Sequence, residues 1–295
     1  MKRRTGSMLG LFALLAVGTS GIAVGQDAPM GHMPPKVLSI FREYTKPGKN
    51  GLQHEKTESA FVQAMTRAKW PTHYLAVESI SGKSRALFLT GYDSFAAWEK
   101  DVLATQKDAA LSAALDRAAA ADGELLSETD SAALAFHEEY SLRPEVDIAH
   151  MRYFEISVYQ VRHGHDKDWD DIVKMVIAAY EKIPDAHWAT YAVVYGLQDN
   201  TYVIFNPMKS AEEIDKGFAE GKQFEEAMGK EGMKKLSELS AAAIESSQTN
   251  LFAFNPRMSY PSEDWIKADP EFWKPKAAAA PAATKKAADK PADSH

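Results

Sequence analysis

The sequence predicts an α+β fold built from two tandem copies of one β-α-β-β-α-β unit of about 115 residues. Lys46-Pro47-Gly48-Lys49 and Arg162-His163-Gly164-His165 each follow a strand-like stretch and precede a helical pattern, and their glycines stand 116 positions apart. Ser94 and Ser210, each opening a helix, repeat that offset, while His73-Tyr74 and His187-Trp188 are 114 apart. Small loop deletions between duplicated units leave such a drift.

In the first copy, apolar alternation predicts strands over 37–44, 73–80, 85–92 and 133–141, with a tight turn at Ser81-Gly82-Lys83-Ser84. Helices are expected over 51–68, where Phe61, Ala64, Met65 and Ala68 share a face, and over 94–120. The second copy gives strands over 152–162, 187–196, 200–206 and 250–257. Its first helix carries Trp169, Ile172, Val173, Val176, Ile177 and Tyr180 as an apolar stripe, and its second opens on Ser210 and Glu213, a capping-box spacing.

This order is that of the ferredoxin-like unit, whose helices cover one face of the sheet and leave the other needing a partner. Over residues 36–258 the chain resembles the dimeric α/β-barrel superfamily, with its NIPSNAP-like, EthD-like and antibiotic-biosynthesis-monooxygenase-like members. The resemblance rests on element order and repeat. It implies two sheets facing each other around a cavity, here within one chain.

Strand alternation then assigns faces. Leu38 and Ile40, with Phe154, Ile156 and Val158, are expected against the helices. That leaves Ser39, Phe41 and Glu43, with Glu155, Ser157 and Tyr159, on the cavity side. His137 and Glu139 oppose Leu134 and Phe136, Asn255 and Arg257 oppose Phe252 and Phe254, and the third strands add Thr90, Tyr92 and Asn206. The candidate cavity residues are therefore Glu43, Glu155, Tyr159, His137, Glu139, Asn255 and Arg257, with His73 and His187 at the mouth. Carboxylates enclosed there would have raised pKa values unless paired, and could hold a ligand or move a proton. The competing expectation is a set of satisfied structural pairs.

The chain ends carry different signals. Lys2, Arg3 and Arg4 precede an apolar run from Met8 to Val24, so residues 1–25 read as a cleaved secretory signal and imply a periplasmic or secreted protein. Residues 26–35 are expected to be a flexible leader, 36–145 and 150–258 the two units, 259–273 an ordered extension and 274–295, rich in Ala, Pro and Lys, a disordered tail. Without its three leading cations the chain has 31 basic and 41 acidic residues, a balance against nucleic acid or anionic membrane as partner. The absence of cysteine excludes lipoprotein anchoring, disulfides and thiolate chemistry.

No metal site is expected. His163-Gly164-His165 with Asp166 and Asp168 reads as a solvated loop opening a helix, and Met30, His32 and Met33 as leader. No cofactor is expected either, with haem as an alternative that the resemblance attaches to His54. Asp170 at the matching position points instead to an exposed helix histidine. There is no phosphate loop and no nucleophile elbow. The leading expectation is an exported small-ligand-binding or sensing protein with a cavity between its halves. The alternatives are a cofactor-free or haem-using monooxygenase-like or isomerase-like enzyme, with Glu43, Glu155, His137 or His187 as base, and a structural protein without a site.

Overall fold

A computed structural model describes residues 32–274. The expected signal, most of the leader and the expected tail lie outside the described residues. In the first half β1 (Val37–Thr45), β2 (Tyr74–Ser79), β3 (Arg85–Tyr92) and β4 (Leu126–Phe136) alternate with α1 (Leu52–Ala68), α2 (Phe95–Lys107) and α3 (Ala109–Gly123). In the second, β5 (Tyr153–Val161), β6 (Ala189–Tyr195), β7 (Thr201–Met208) and β8 (Ile244–Phe254) alternate with α4 (Asp166–Tyr180) and α5 (Glu212–Ala243). Two short helices follow, α6 (Glu263–Ala268) and α7 (Pro270–Trp273).

The eight strands close into one antiparallel barrel in the order β1-β3-β2-β8-β5-β7-β6-β4. Within each half the order is fourth, first, third, second strand, and two seams join the halves. At one, Val77, Glu78 and Ser79 of β2 pair with Phe254, Ala253 and Phe252 of β8. At the other, β4 meets β6 through Leu134–Val193, Ala135–Ala192 and Phe136–Tyr191, with a bulge between Ala133 and Leu134. A closed barrel leaves no strand edge unpaired.

The expected single helix over 94–120 is two. Ser94 caps α2 by accepting from Ala97 N (3.1 Å), and Asp108 ends α2 in an extended conformation while accepting from Leu111 N (2.9 Å) to start α3. An Asp whose side chain takes up free N–H groups restarts a helix at an angle rather than continuing it. The expected Ser210 cap is only half formed, because Glu213 reaches back to Lys209 N (2.9 Å) while Ala211 occupies the N-cap. Strand β4 begins earlier and ends earlier than its apolar stretch suggests. Its polar start pairs with the whole of β1, and residues 138–140 turn into a short 3-10 helix.

The strand faces are the reverse of those expected. Leu38, Ile40, Phe154, Ile156, Leu134, Phe252 and Phe254 meet inside the barrel, in one buried cluster with Leu75, Leu89, Val203 and Phe205. Glu43 and Tyr159 lie outside it, beneath the helices. Tyr159 packs with Trp169, Ile172, Val176 and Tyr180 of α4 and Phe224 of α5. The barrel interior, shared by two sheets, takes the larger aliphatic and aromatic side chains, and the helices cover the more polar face.

Candidate functional site

Among the described residues, cavities lie toward both ends of the barrel. The first, of about 280 Å³, is lined by Leu38, Leu75, Leu89, Phe154, Tyr191 and Phe205 from both halves. His73, His187, Trp188 and Trp265 also line it. Among the described residues, no carboxylate, lysine or arginine lines it. His32 bonds through its N to Val146 O (3.1 Å), and residues 32–35 join the wall, so the end of the expected leader is part of this site. The extension reaches it too. Trp265 lines it, and Trp273, 3% exposed, donates from its indole to Ala149 O (2.9 Å).

His187 and His73 differ in availability. The two ring nitrogens of His187 face the carbonyls of Asp185 (2.7 Å) and Pro207 (3.0 Å). His73 tilts against the Tyr260 ring at 4.7 Å and keeps a buried Nδ1 without a hydrogen-bond partner. A buried imidazole nitrogen left unpaired costs free energy.

The second cavity, of about 520 Å³, is mixed, with Arg42, Lys83, Arg85, Gln160 and Asn250 beside Ile156, Phe205 and Phe252. Arg42 pairs with Asp130, and Arg85 donates to Asn250 Oδ1 at 2.7 Å. Phe205 lines both cavities.

None of the other expected cavity residues lies in the mouth cavity. His137 stacks on Tyr140 at 3.7 Å, on the helix-covered side, and Glu139 is exposed in the 3-10 turn. Burial raises the Glu155 carboxyl to about 7, and its neighbour on β7 is Asn206, itself 2% exposed. Asn255 ties the first seam, its amide donating to Glu78 Oε2 (2.6 Å) and its N–H to Ala76 O (2.9 Å). Arg257 pairs with Glu55 at 3.0 Å on the surface.

Glu43 belongs to a different constellation. It is 4% exposed under α1, where its Oε2 lies 2.9 Å from His54 Nε2, and Asp122 Oδ1 of α3 lies 3.6 Å from the same nitrogen. Glu58, one turn beyond His54, completes a group of four whose ligand atoms lie within 4.8 Å of one another. His54 is thus 1% exposed, not an exposed helix histidine. Burial, with the Glu43 and Asp122 carboxylates beside it, pushes Glu58 up to about 10. Burial also raises Glu43, against the hydrogen bond from His54. Burial would lower His54, but its bond to Glu43 and the nearby carboxylates outweigh that and raise it. The group borders a cavity of about 470 Å³ with Phe41, Phe61, Met65 and Phe88 in its walls. Haem does not fit at His54, because its Nε2 already faces Glu43 and Asp122, and a macrocycle placed there would press apolar rings onto three buried carboxylates.

Sequence reasoning missed Glu58 and Asp122. The readable signal was His54 and Glu58 four residues apart on one helix face below a glutamate-bearing strand.

No protein-family model matches the chain. No curated protein matches it. Among solved structures it is similar to a candidate monooxygenase from Fusobacterium nucleatum, at 12% identity over 75% of this chain and 93% of that one, with a TM-score of 0.49. An anthrone oxidase-like protein is 12% identical over 77% and 95%, with a TM-score of 0.45. A haem-binding protein from Thermus thermophilus is 14% identical over 80% and 98%, with a TM-score of 0.43. Likeness at this level carries no functional argument.

Proposed function

We propose that this is an exported protein of two tandem ferredoxin-like units that binds a small, uncharged, largely aromatic or aliphatic molecule in the mouth cavity of the barrel. The repeated strand order of the two halves and the 116-residue spacing support the tandem reading, and the charge and apolar pattern of residues 2–24 supports export. The observation that carries the binding reading is the lining of the mouth cavity. Aromatic and aliphatic walls from both halves surround it, with no charged group among the described residues that line it, and the His73 and His187 rings add polar groups to the wall. Apolar walls with few polar groups that fix orientation are the usual composition of a small-molecule site.

The test is a fluorescence titration of the purified protein with the neutral apolar dye N-phenyl-1-naphthylamine, alongside Ala189→Phe, which fills the cavity from its wall. Saturable binding lost in a folded Ala189→Phe supports the reading. Equal binding by both proteins, or none by the wild type, ends it. A Soret band in the protein as purified would replace it with haem binding. The enzyme reading keeps one specific observation in its favour, the convergence of Glu43, Glu58 and Asp122 on the cavity beneath α1.

A further inference from the structure

We propose that Glu43, His54, Glu58 and Asp122 form a site for one divalent first-row transition-metal ion, independent of the mouth cavity. Donors about 2.0–2.2 Å from a common ion stand roughly 3–4 Å from one another, and these four atoms already lie within 4.8 Å. β1, α1 and α3 each contribute, so the group is held by packed secondary structure rather than by a loop.

Two atoms point to a missing partner. Glu58 Oε1 and Asp122 Oδ2 are buried without a hydrogen bond among the described residues, in side chains whose residues are 3% and 1% exposed. Buried carboxylate oxygens are costly to leave unmade, and a cation satisfies both at once. The ionisable groups are also unevenly matched. Among the described residues, the ion pairs of Glu43 and Asp122 are both with His54, and Glu58 has none. Three carboxylates thus share one imidazole. Thr57 donates to Asp122 Oδ1 (2.5 Å), the kind of outer contact that orients a ligating carboxylate.

The fold does not require these charges. At the matching offset in the second half, Glu43 is replaced by Tyr159, wholly buried against Trp169 at 5.4 Å, and His54 and Glu58 by Asp170 and Lys174, which pair with each other at 2.7 Å on the surface. An apolar core closes that half, while the first half keeps four ionisable groups in the same layer.

The donor set selects the ion class. One imidazole with three carboxylates suits Zn²⁺, Mn²⁺ or Fe²⁺, whereas Ca²⁺ takes six to eight oxygens. The adjoining cavity supplies an entry path and room for a further ligand.

The full chain, stripped with chelator, is dialysed separately against Zn²⁺ and Mn²⁺ and its bound metal counted, together with Glu58→Gln and Asp122→Asn. Both substitutions keep shape and replace a buried ionisable carboxyl with a neutral amide, so the metal-free variants should melt at or above the wild-type temperature. We expect one equivalent bound to the wild type with a raised melting temperature, and affinity lowered at least about 10-fold in each variant. Co²⁺ in place of Zn²⁺ should show visible bands that Glu58→Gln abolishes. Wild-type protein that takes up neither ion, or variants that bind as tightly as wild type, would overturn the site.

Discussion

Gly196 and Ser131 meet so closely at the second seam that a Cβ on Gly196 would stand 2.0 Å from the Ser131 carbonyl oxygen. Gly196 also holds φ at +88°, a left-handed conformation. The contact sits beside the bulge where β4 shifts register against β6, so the closure of the barrel depends on a residue without a side chain. Gly196→Ala should therefore cost several times more stability than Gly48→Ala. Gly48 has a similar φ of +75° but nothing within 4 Å of a Cβ, and its substitution should cost about 1 kcal/mol. Chemical denaturation of the two variants reads the difference, and equal losses would mean that the seam can shift to make room.

Phe205, 4% exposed, is the wall shared by the two internal cavities and packs edge-on against Phe154 and Tyr191 at 5.5 and 5.7 Å. Phe205→Ala should cost about 3–5 kcal/mol, the usual loss for a buried aromatic. It should also join the cavities and let water from the more polar one into the apolar one. A variant that stays folded should bind the apolar dye more weakly than wild type. Unchanged dye affinity would place its binding outside the barrel.

How much of this was legible in the sequence differs by level. The repeat at Gly48 and Gly164 located nearly every strand, because turn glycines and alternating apolar residues are local signals. The face of each strand was not legible, because alternation tells which residues share a side but not which side is enclosed. Leu38 and Ile40 would bury equally well against helices or against another sheet. The decision is made by the partner surface. α4 offers Trp169, Ile172 and Val176 to cover Tyr159, whereas α1 presents His54 and Glu58 to Glu43. Of the expected cavity residues, His73 and His187 line the mouth cavity and the remainder lie elsewhere. Asp122 could not be found from spacing, since it comes to His54 from a helix more than sixty residues away.

Glu155 gives the protein a predicted pH response. Burial holds its carboxyl at about 7 against an ordinary value of 4.5, so the folded state favours the neutral form. Below pH 4.5 the group is protonated in both states and adds no penalty. Between pH 4.5 and 7 the unfolded chain ionises first, and above 7 the native state carries a poorly solvated charge. The penalty at high pH is on the order of 3 kcal/mol, at about 1.36 kcal/mol per pKa unit. Glu155→Gln should melt at the wild-type temperature at pH 4 and above it at pH 8.5. A substitution without effect at pH 8.5 would show that the charge finds solvent.

Asn255 and Arg257, two residues apart, should differ sharply in what they hold. Asn255, 6% exposed, bridges the first seam: its amide donates to Glu78, its backbone N–H reaches Ala76 O, and its Oδ1 accepts from Arg257 N (2.9 Å) and Met258 N (3.2 Å). Asn255→Ala leaves Glu78 and two backbone donors without a partner beside a ladder only three pairs long, and should cost about 2–4 kcal/mol. The Arg257 side chain is half-exposed, and its pair with Glu55 is of the surface kind worth under about 1 kcal/mol. Arg257→Ala should barely move the melting temperature, and salt should shrink what little effect it has. If Arg257→Ala were the more damaging of the two, the guanidinium rather than the amide would be closing the seam.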